Sequence, residues 1–178
     1  MSDLETRPEG YPDGISDGNV RPLAPWRRHA SPAGLLVFGL VVVLALAGVL
    51  GHERTWAAEA NGTHLEVHTS EVIRNGEFAE MRIRVRPGTD IGDLVLGIED
   101  TLWEDITVNT LIPAASEETN ADGQTRFTFG QLSGGSEFLL KVDMQINPDI
   151  LGGNAGRVTV YDGEEELVAT PISITVLP

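Results

Sequence analysis

From Ala33 to Leu50 the chain reads Ala-Gly-Leu-Leu-Val-Phe-Gly-Leu-Val-Val-Val-Leu-Ala-Leu-Ala-Gly-Val-Leu, with no charged side chain. A segment in hydrocarbon must satisfy its backbone polar groups internally, and roughly 20 apolar residues suffice to cross a bilayer once as a helix. We therefore expect a transmembrane helix over 30–51, and this run divides everything else. Residues 1–29 are expected to be a disordered cytoplasmic tail and 52–62 a linker. Residues 63–178 are expected to form a domain on the far side of the membrane, periplasmic or extracellular.

Orientation follows from the flanks, because Lys and Arg near a span are retained on the cytoplasmic side. Arg21, Arg27 and Arg28 precede the run and Arg54 follows it, so Arg27 and Arg28 hold the tail inside. Trp26 and Trp56 bracket the span as indoles do at headgroup depth. Ala45-Leu46-Ala47 and Ala58-Glu59-Ala60 have the small residues of a signal-peptide cleavage site. A cleaved signal, however, has an apolar region of about 7 to 15 residues behind a short basic lead, and this run is longer. Arg27-Arg28 is read as a topology determinant and not as a twin-arginine export signal. The expected protein is a single-pass signal-anchor protein of the cell membrane.

Composition sets the remaining bounds. The 178 residues include no Cys, so there is no disulfide framework, thiolate nucleophile or Cys-ligated metal, and packing must hold the outer domain together. That region, about 120 residues, is enough for one core. The formal charge is −15 and the tail is near neutral, so the excess negative charge belongs to the outer domain. An acidic surface repels phosphate backbones and anionic headgroups, which excludes nucleic acid as a partner and a domain lying flat on lipid.

After the span, apolar residues recur with period two. Leu65 and Val67 alternate with His64, Glu66 and His68, and Met81, Ile83 and Val85 with Arg82, Arg84 and Arg86 before Pro87-Gly88. Further strands are expected over Leu94–Ile98, Trp103–Ile112, Phe127–Phe129 and Leu140–Ile146, which ends at Asn147-Pro148. The last are expected at Val158–Val160, Leu167–Ala169 and Ile172–Val176, with a turn at Asp162-Gly163. The pattern predicts an all-β, antiparallel β-sandwich of about seven to nine strands, with no helix outside the membrane.

The segment Phe127-Thr-Phe-Gly-Gln-Leu-Ser-Gly-Gly-Ser-Glu-Phe-Leu-Leu-Lys-Val-Asp-Met is similar to the strand, turn and long strand of bacterial Ig-like modules of the CARDB and NEW3 kind. Gly156 to Glu164 and Ile172 to Val176 resemble the closing strands of such modules. The resemblance implies an Ig-like fold and a role in adhesion, spacing or docking. It implies no catalytic residues.

Several motifs carry possible chemistry. Glu118, Asn120 and Asp122, followed by Gly123, match the first half of a calcium loop, but the twelfth position, which needs a bidentate Glu, is Phe129. His64 and His68 share a strand face about 13 Å apart at 3.3 Å per residue, too far for one ion to bridge. The row Arg82, Arg84, Arg86 is expected to neutralise carboxylates on adjacent strands. Glu99-Asp100 and Glu104-Asp105 flank Trp103 without a visible cleft, and a solvated strand end accounts for them. Asn61-Gly62-Thr63 is a glycosylation sequon, meaningful in a secretory-pathway host. Gly14-Ile15-Ser16-Asp17-Gly18 fits the nucleophile-elbow pattern, but a disordered tail offers no strained strand-to-helix turn. Gly152 to Gly156 opens no helix and is read as a turn.

Neither catalytic residues nor a cofactor are expected. The expected function is that of a membrane-anchored, non-enzymatic interaction or scaffold module with a protein partner in the cell envelope; the sequence does not set an oligomeric state. The alternative is an exported domain that binds or delivers calcium, copper or zinc, with Glu118, Asn120, Asp122, His64 and His68 as candidate ligands.

Overall fold

A computed structural model describes residues 27–48, 51–147 and 152–177, with the side chains of 27–30 excepted. Residues 1–26 of the expected tail, with Gly14–Gly18 and Trp26, lie outside the described residues, as do the side chains of Arg27 and Arg28, whereas 27–29, expected in the disordered tail, are helical. The chain divides into two units, one ending at Ala47 and one beginning at Gly48.

In the first unit, helix α1 spans Arg27–Leu46. It stops short of the expected 51 because Gly48 takes a left-handed φ of 78°, a conformation that closes helices and costs glycine little. The described apolar side chains of α1 are exposed on every face, Leu36 at 77% and Phe38 at 67% among them. Among the described residues no helix is long and apolar enough to cross a membrane.

The second unit is all-β, as expected, but has eleven strands among the described residues. They are β1 Glu53–Ala60, β2 Thr63–Ser70, β3 Val72–Arg74, β4 Phe78–Pro87, β5 Ile91–Glu99, β6 Ile106–Ile112, β7 Glu117–Ala121, β8 Gln124–Leu132, β9 Phe138–Ile146, β10 Asn154–Asp162 and β11 Glu165–Leu177. One sheet has the order β1-β2-β4-β9-β6, the other β3-β11-β10-β5-β8-β7. Pairing is antiparallel except between β3 and β11, which run parallel, so the second sheet is mixed.

The first sheet shows how patterning dictates register. Leu65 lies opposite Val85 and Val67 opposite Ile83, while Ile83 also faces Leu140 and Met81 faces Val142. All of these side chains are fully buried, and they meet Leu96, Ile98, Phe127, Val158, Val160, Ile172 and Ile174 of the second sheet in one core. A slip of one residue would turn Glu66 and Arg84 inward, so the core itself fixes the register.

Four local readings are corrected. Residues 52–62 are not a linker: β1 pairs with β2 along its length, from Glu53–Ser70 to Ala60–Thr63. Asn61 and Gly62, at φ 50° and 69°, join the two strands in the tight two-residue turn that Asn-Gly favours. Trp56 consequently lies in the sheet opposite Val67, packed against the core beneath the Arg54 guanidinium, so its burial is explained without a headgroup layer. The stretch expected as a strand from Trp103 begins at Ile106, because Asp100–Trp103 form a single helical turn, α2, that buries Leu102. Finally, β11 runs unbroken through Pro171. There β10 covers one side of the strand, and the pairing with β3, which begins only at Thr175 of β11, leaves the other uncovered, so the missing N–H of proline costs no ladder bond on that side.

Because Ile83 is fully buried at the centre of the first sheet, Ile83→Ala is expected to cost about 2–5 kcal/mol of unfolding free energy. Denaturant unfolding of the full chain in nonionic micelles, followed by tryptophan fluorescence, measures it.

Candidate functional site

The register that buries Leu65, Val67, Ile83 and Val85 sends their neighbours to the outer face of the first sheet. His64 lies opposite Arg86, Glu66 opposite Arg84 and His68 opposite Arg82. Glu66 accepts from Arg84 Nη1 at 2.9 Å and from His64 Nε2 at 3.1 Å, with Arg86 Nη1 at 3.7 Å. On the other flank Glu137 accepts from Arg86 Nε at 2.7 Å and lies 3.3 Å from Arg84 Nε. Arg82 pairs with Glu80, which Lys141 Nζ approaches at 3.9 Å. The arginine row is thus neutralised by carboxylates: Glu66 of the adjacent strand meets Arg84 and Arg86 as expected, while Arg82 pairs with Glu80 of its own strand.

This arrangement holds the Glu66 carboxyl below the usual carboxylate range. The His64 bond contributes most, the Arg84 bond next, and partial burial opposes both. The guanidinium of Arg84 is correspondingly held more firmly in its charged form, chiefly by Glu66.

The two histidines belong to separate clusters. His64 bonds Glu66, whereas His68 joins Thr55 Oγ1 at 2.9 Å and Glu53 at 3.1 Å. Glu118, Asn120 and Asp122 do not form a loop. Glu118 and Asn120 lie in β7, and Asp122 with Gly123, at φ 56° and 73°, makes the turn to β8, again a tight Asp-Gly hairpin. Asn120 Nδ2 donates to both Asp100 carboxylate oxygens at 3.3 Å, and Thr125 Oγ1 donates to Asp100 at 3.1 Å. Asp100 therefore ties α2 to the β7–β8 hairpin. Among the described residues no three His, Asp or Glu side chains converge as a metal site would require. Asn61 of the sequon donates to the Leu167 carbonyl at 2.9 Å.

A second feature, invisible in the sequence, lies where the sandwich opens between its edge strands. A cleft of about 550 Å³ is lined by Trp103, Val108, Leu111, Ala115 and Phe127, with Glu118 and Thr125 as polar members. The strands that frame it, β6 and β7, end their respective sheets. Trp103 Nε1 is enclosed and has no hydrogen-bond acceptor among the described residues. Buried donors are normally paired, so this indole N–H is an exception within the wall of the cleft. The sequence hid this cleft because Trp103, Leu111 and Phe127 come from three distant segments.

No protein-family model matches the sequence, and no curated protein matches it closely. Among solved structures the chain is similar to CaCohA2 from Clostridium acetobutylicum, at 14% identity and TM-score 0.44, over 66% of this chain and 92% of that one. It is similar to a cohesin module from a Clostridium perfringens family 33 glycoside hydrolase, at 12% identity and TM-score 0.44, over 67% and 98% respectively. A non-cellulosomal cohesin from Archaeoglobus fulgidus has 9% identity and TM-score 0.39, over 71% and 91%. Identities this low leave function to be argued from the chain's own residues.

The sign of the Glu66 shift sets the acid behaviour. A carboxyl whose folded pKa lies below its unfolded value stabilises the fold above the unfolded value, and the contribution is lost as pH falls through the folded one. Glu66→Gln is expected to cost roughly 1 kcal/mol at neutral pH, a few degrees in Tm, since the pair is partly exposed. Melting curves across pH should show that difference closing below the ordinary carboxylate range, near 4.5.

Proposed function

We propose that the chain is a membrane-anchored, non-enzymatic module of the cell envelope, with its tail cytoplasmic and its sandwich periplasmic or extracellular, where it binds another protein. What supports the anchoring is the uncharged apolar run Ala33–Leu50 in the sequence, most of which lies in α1. Its described apolar side chains are exposed on every side, whereas a helix meant to lie on a globular surface is apolar along one stripe. Arg27 and Arg28 stand at its start, which favours a cytoplasmic tail.

Binding, in preference to catalysis, is supported by what the polar groups of the sandwich already do. Arg84, Arg86, Glu66 and Glu137 neutralise one another, and Asp100 is engaged by Asn120 and Thr125. These groups hold strands together. The cleft between β6 and β7 brings apolar side chains together with one carboxylate and an unpaired donor, a lining suited to recognition.

Fractionation tests the anchor. The full chain is expected to stay with membranes through an alkaline carbonate wash, and protease added outside intact spheroplasts is expected to digest the sandwich while sparing the tail. Replacing both Val41 and Val42 with Lys should release the protein to the soluble fraction. Recovery of the unsubstituted chain as a soluble protein would refute the reading. Crosslinking in intact cells is expected to trap an envelope protein on the sandwich.

A further inference from the structure

We propose that strand β6, with the cleft beside it, receives an extended segment of a partner protein carrying basic side chains, which adds to the five-stranded sheet as a sixth strand. This rests on the interaction reading above and names its surface.

The four sheet edges are treated differently. Exposed edges invite pairing with other chains, and proteins blunt them with charge or by keeping them short. β1 carries Glu53, Arg54 and Glu59, β7 carries Glu117 and Glu118, and β3 spans three residues. β6 reads Ile-Thr-Val-Asn-Thr-Leu-Ile: no charge, and β-branched at Ile106, Thr107, Val108, Thr110 and Ile112. It pairs with β9 on one side, and among the described residues no strand pairs with its other side. Val108 and Ile112 are 37% and 54% exposed, so apolar side chains accompany the open backbone edge.

A strand added there would turn alternate side chains to opposite faces. One set would enter the cleft over Trp103, Leu111 and Phe127. The surrounding charge selects the occupant. Glu118 lines the cleft, Glu104 and Asp105 lead into β6, and Asp143 lies opposite Thr110 on the outer face, while Lys141, opposite Ile112, lies 3.9 Å from Glu80. A second copy of this chain would bring those same carboxylates against each other, whereas Lys or Arg flanking an apolar strand would neutralise them.

The test uses the full chain in nonionic micelles and three labelled synthetic peptides, read by fluorescence anisotropy. They are Lys-Val-Lys-Val-Thr-Val-Lys-Val-Lys, the same sequence with Glu for every Lys, and the lysine peptide with alternate backbone amides N-methylated. The lysine peptide is expected to bind, and the other two at least ten-fold more weakly. Val108→Lys, which guards the edge with charge at an exposed position, is expected to weaken it ten-fold or more. Glu118→Lys, a second exposed substitution, should act in the same direction, with thermal melts checking that both variants fold. Absence of binding, equal binding of the N-methylated peptide, or indifference to Val108→Lys would overturn the proposal. If Val108→Lys still traps the envelope partner in cells, the edge is refuted and the interaction reading stands. If the unsubstituted chain traps none, the interaction reading itself fails.

Discussion

Apolar contact between two sheets, with no covalent staple, is the constraint from which the rest of the sandwich follows. Leu65, Val67, Met81, Ile83, Val85, Leu140 and Val142 face Leu96, Ile98, Phe127, Val158, Val160, Ile172 and Ile174, and no disulfide assists this burial in holding the layers together. In a pleated strand the position of one side chain fixes that of its neighbours. Burying Leu65 and Ile83 therefore compels Glu66 and Arg84 outward and opposite each other. The charged face is a consequence of the core, and its ion pairs lock a register that burial has already chosen. Exposed pairs contribute little individually, so their main effect is to make the alternative register, with those charges inside, more costly still.

What could be read in the sequence was whatever rested on periodicity over many residues. The alternation through Glu66 and Arg84 and the run from Leu140 to Ile146 place strands where they are found, and cross-strand neutralisation holds for Arg84 and Arg86 through Glu66, while Arg82 pairs within its own strand. The failures came where one local feature was read through another. Residues 52–62 match a connector between span and domain and Asn61-Gly62-Thr63 matches a sequon, but Asn-Gly between two short strands is also a strong hairpin signal, and the hairpin is what forms. Asp122-Gly123, which matches half of a cation loop, forms the polar turn that such a half match more often is. In both places the backbone requirement for positive φ explains the residues without any ligand. The chemistry of Asn120 was also sound in kind, since it does engage a carboxylate, but that carboxylate is Asp100 from α2.

The cleft was illegible for a different reason. Its walls come from α2, β6, β8 and the segment after β6, and no sequence period relates Trp103 to Phe127 or Leu111 to Ala115. Their meeting depends on two sheets diverging at one side, a property of layer geometry. β6 itself left a trace in the chain, since Ile106 to Ile112 is the one edge strand of its length without a charged residue. That trace acquires meaning only when the strand is known to lie at an edge.

Electrostatics then joins the two surfaces. Of the eight Lys and Arg in the sandwich unit, Arg54, Arg82, Arg84, Arg86, Arg126, Lys141 and Arg157 lie within bridging distance of carboxylates of the same unit, and Arg74 is exposed on β3. Most of the basic side chains are thereby engaged in holding strands and hairpins, while acidic ones such as Glu104, Asp105, Glu117 and Glu118 are left beside the open edge. A net charge of −15 is thus not spread as a uniform solubilising coat. Internal pairing removes attraction for acidic partners and leaves the remaining field negative. That field acts at long range on the encounter, while the uncharged strand and the cleft act at contact, so one determines what approaches and the other what stays.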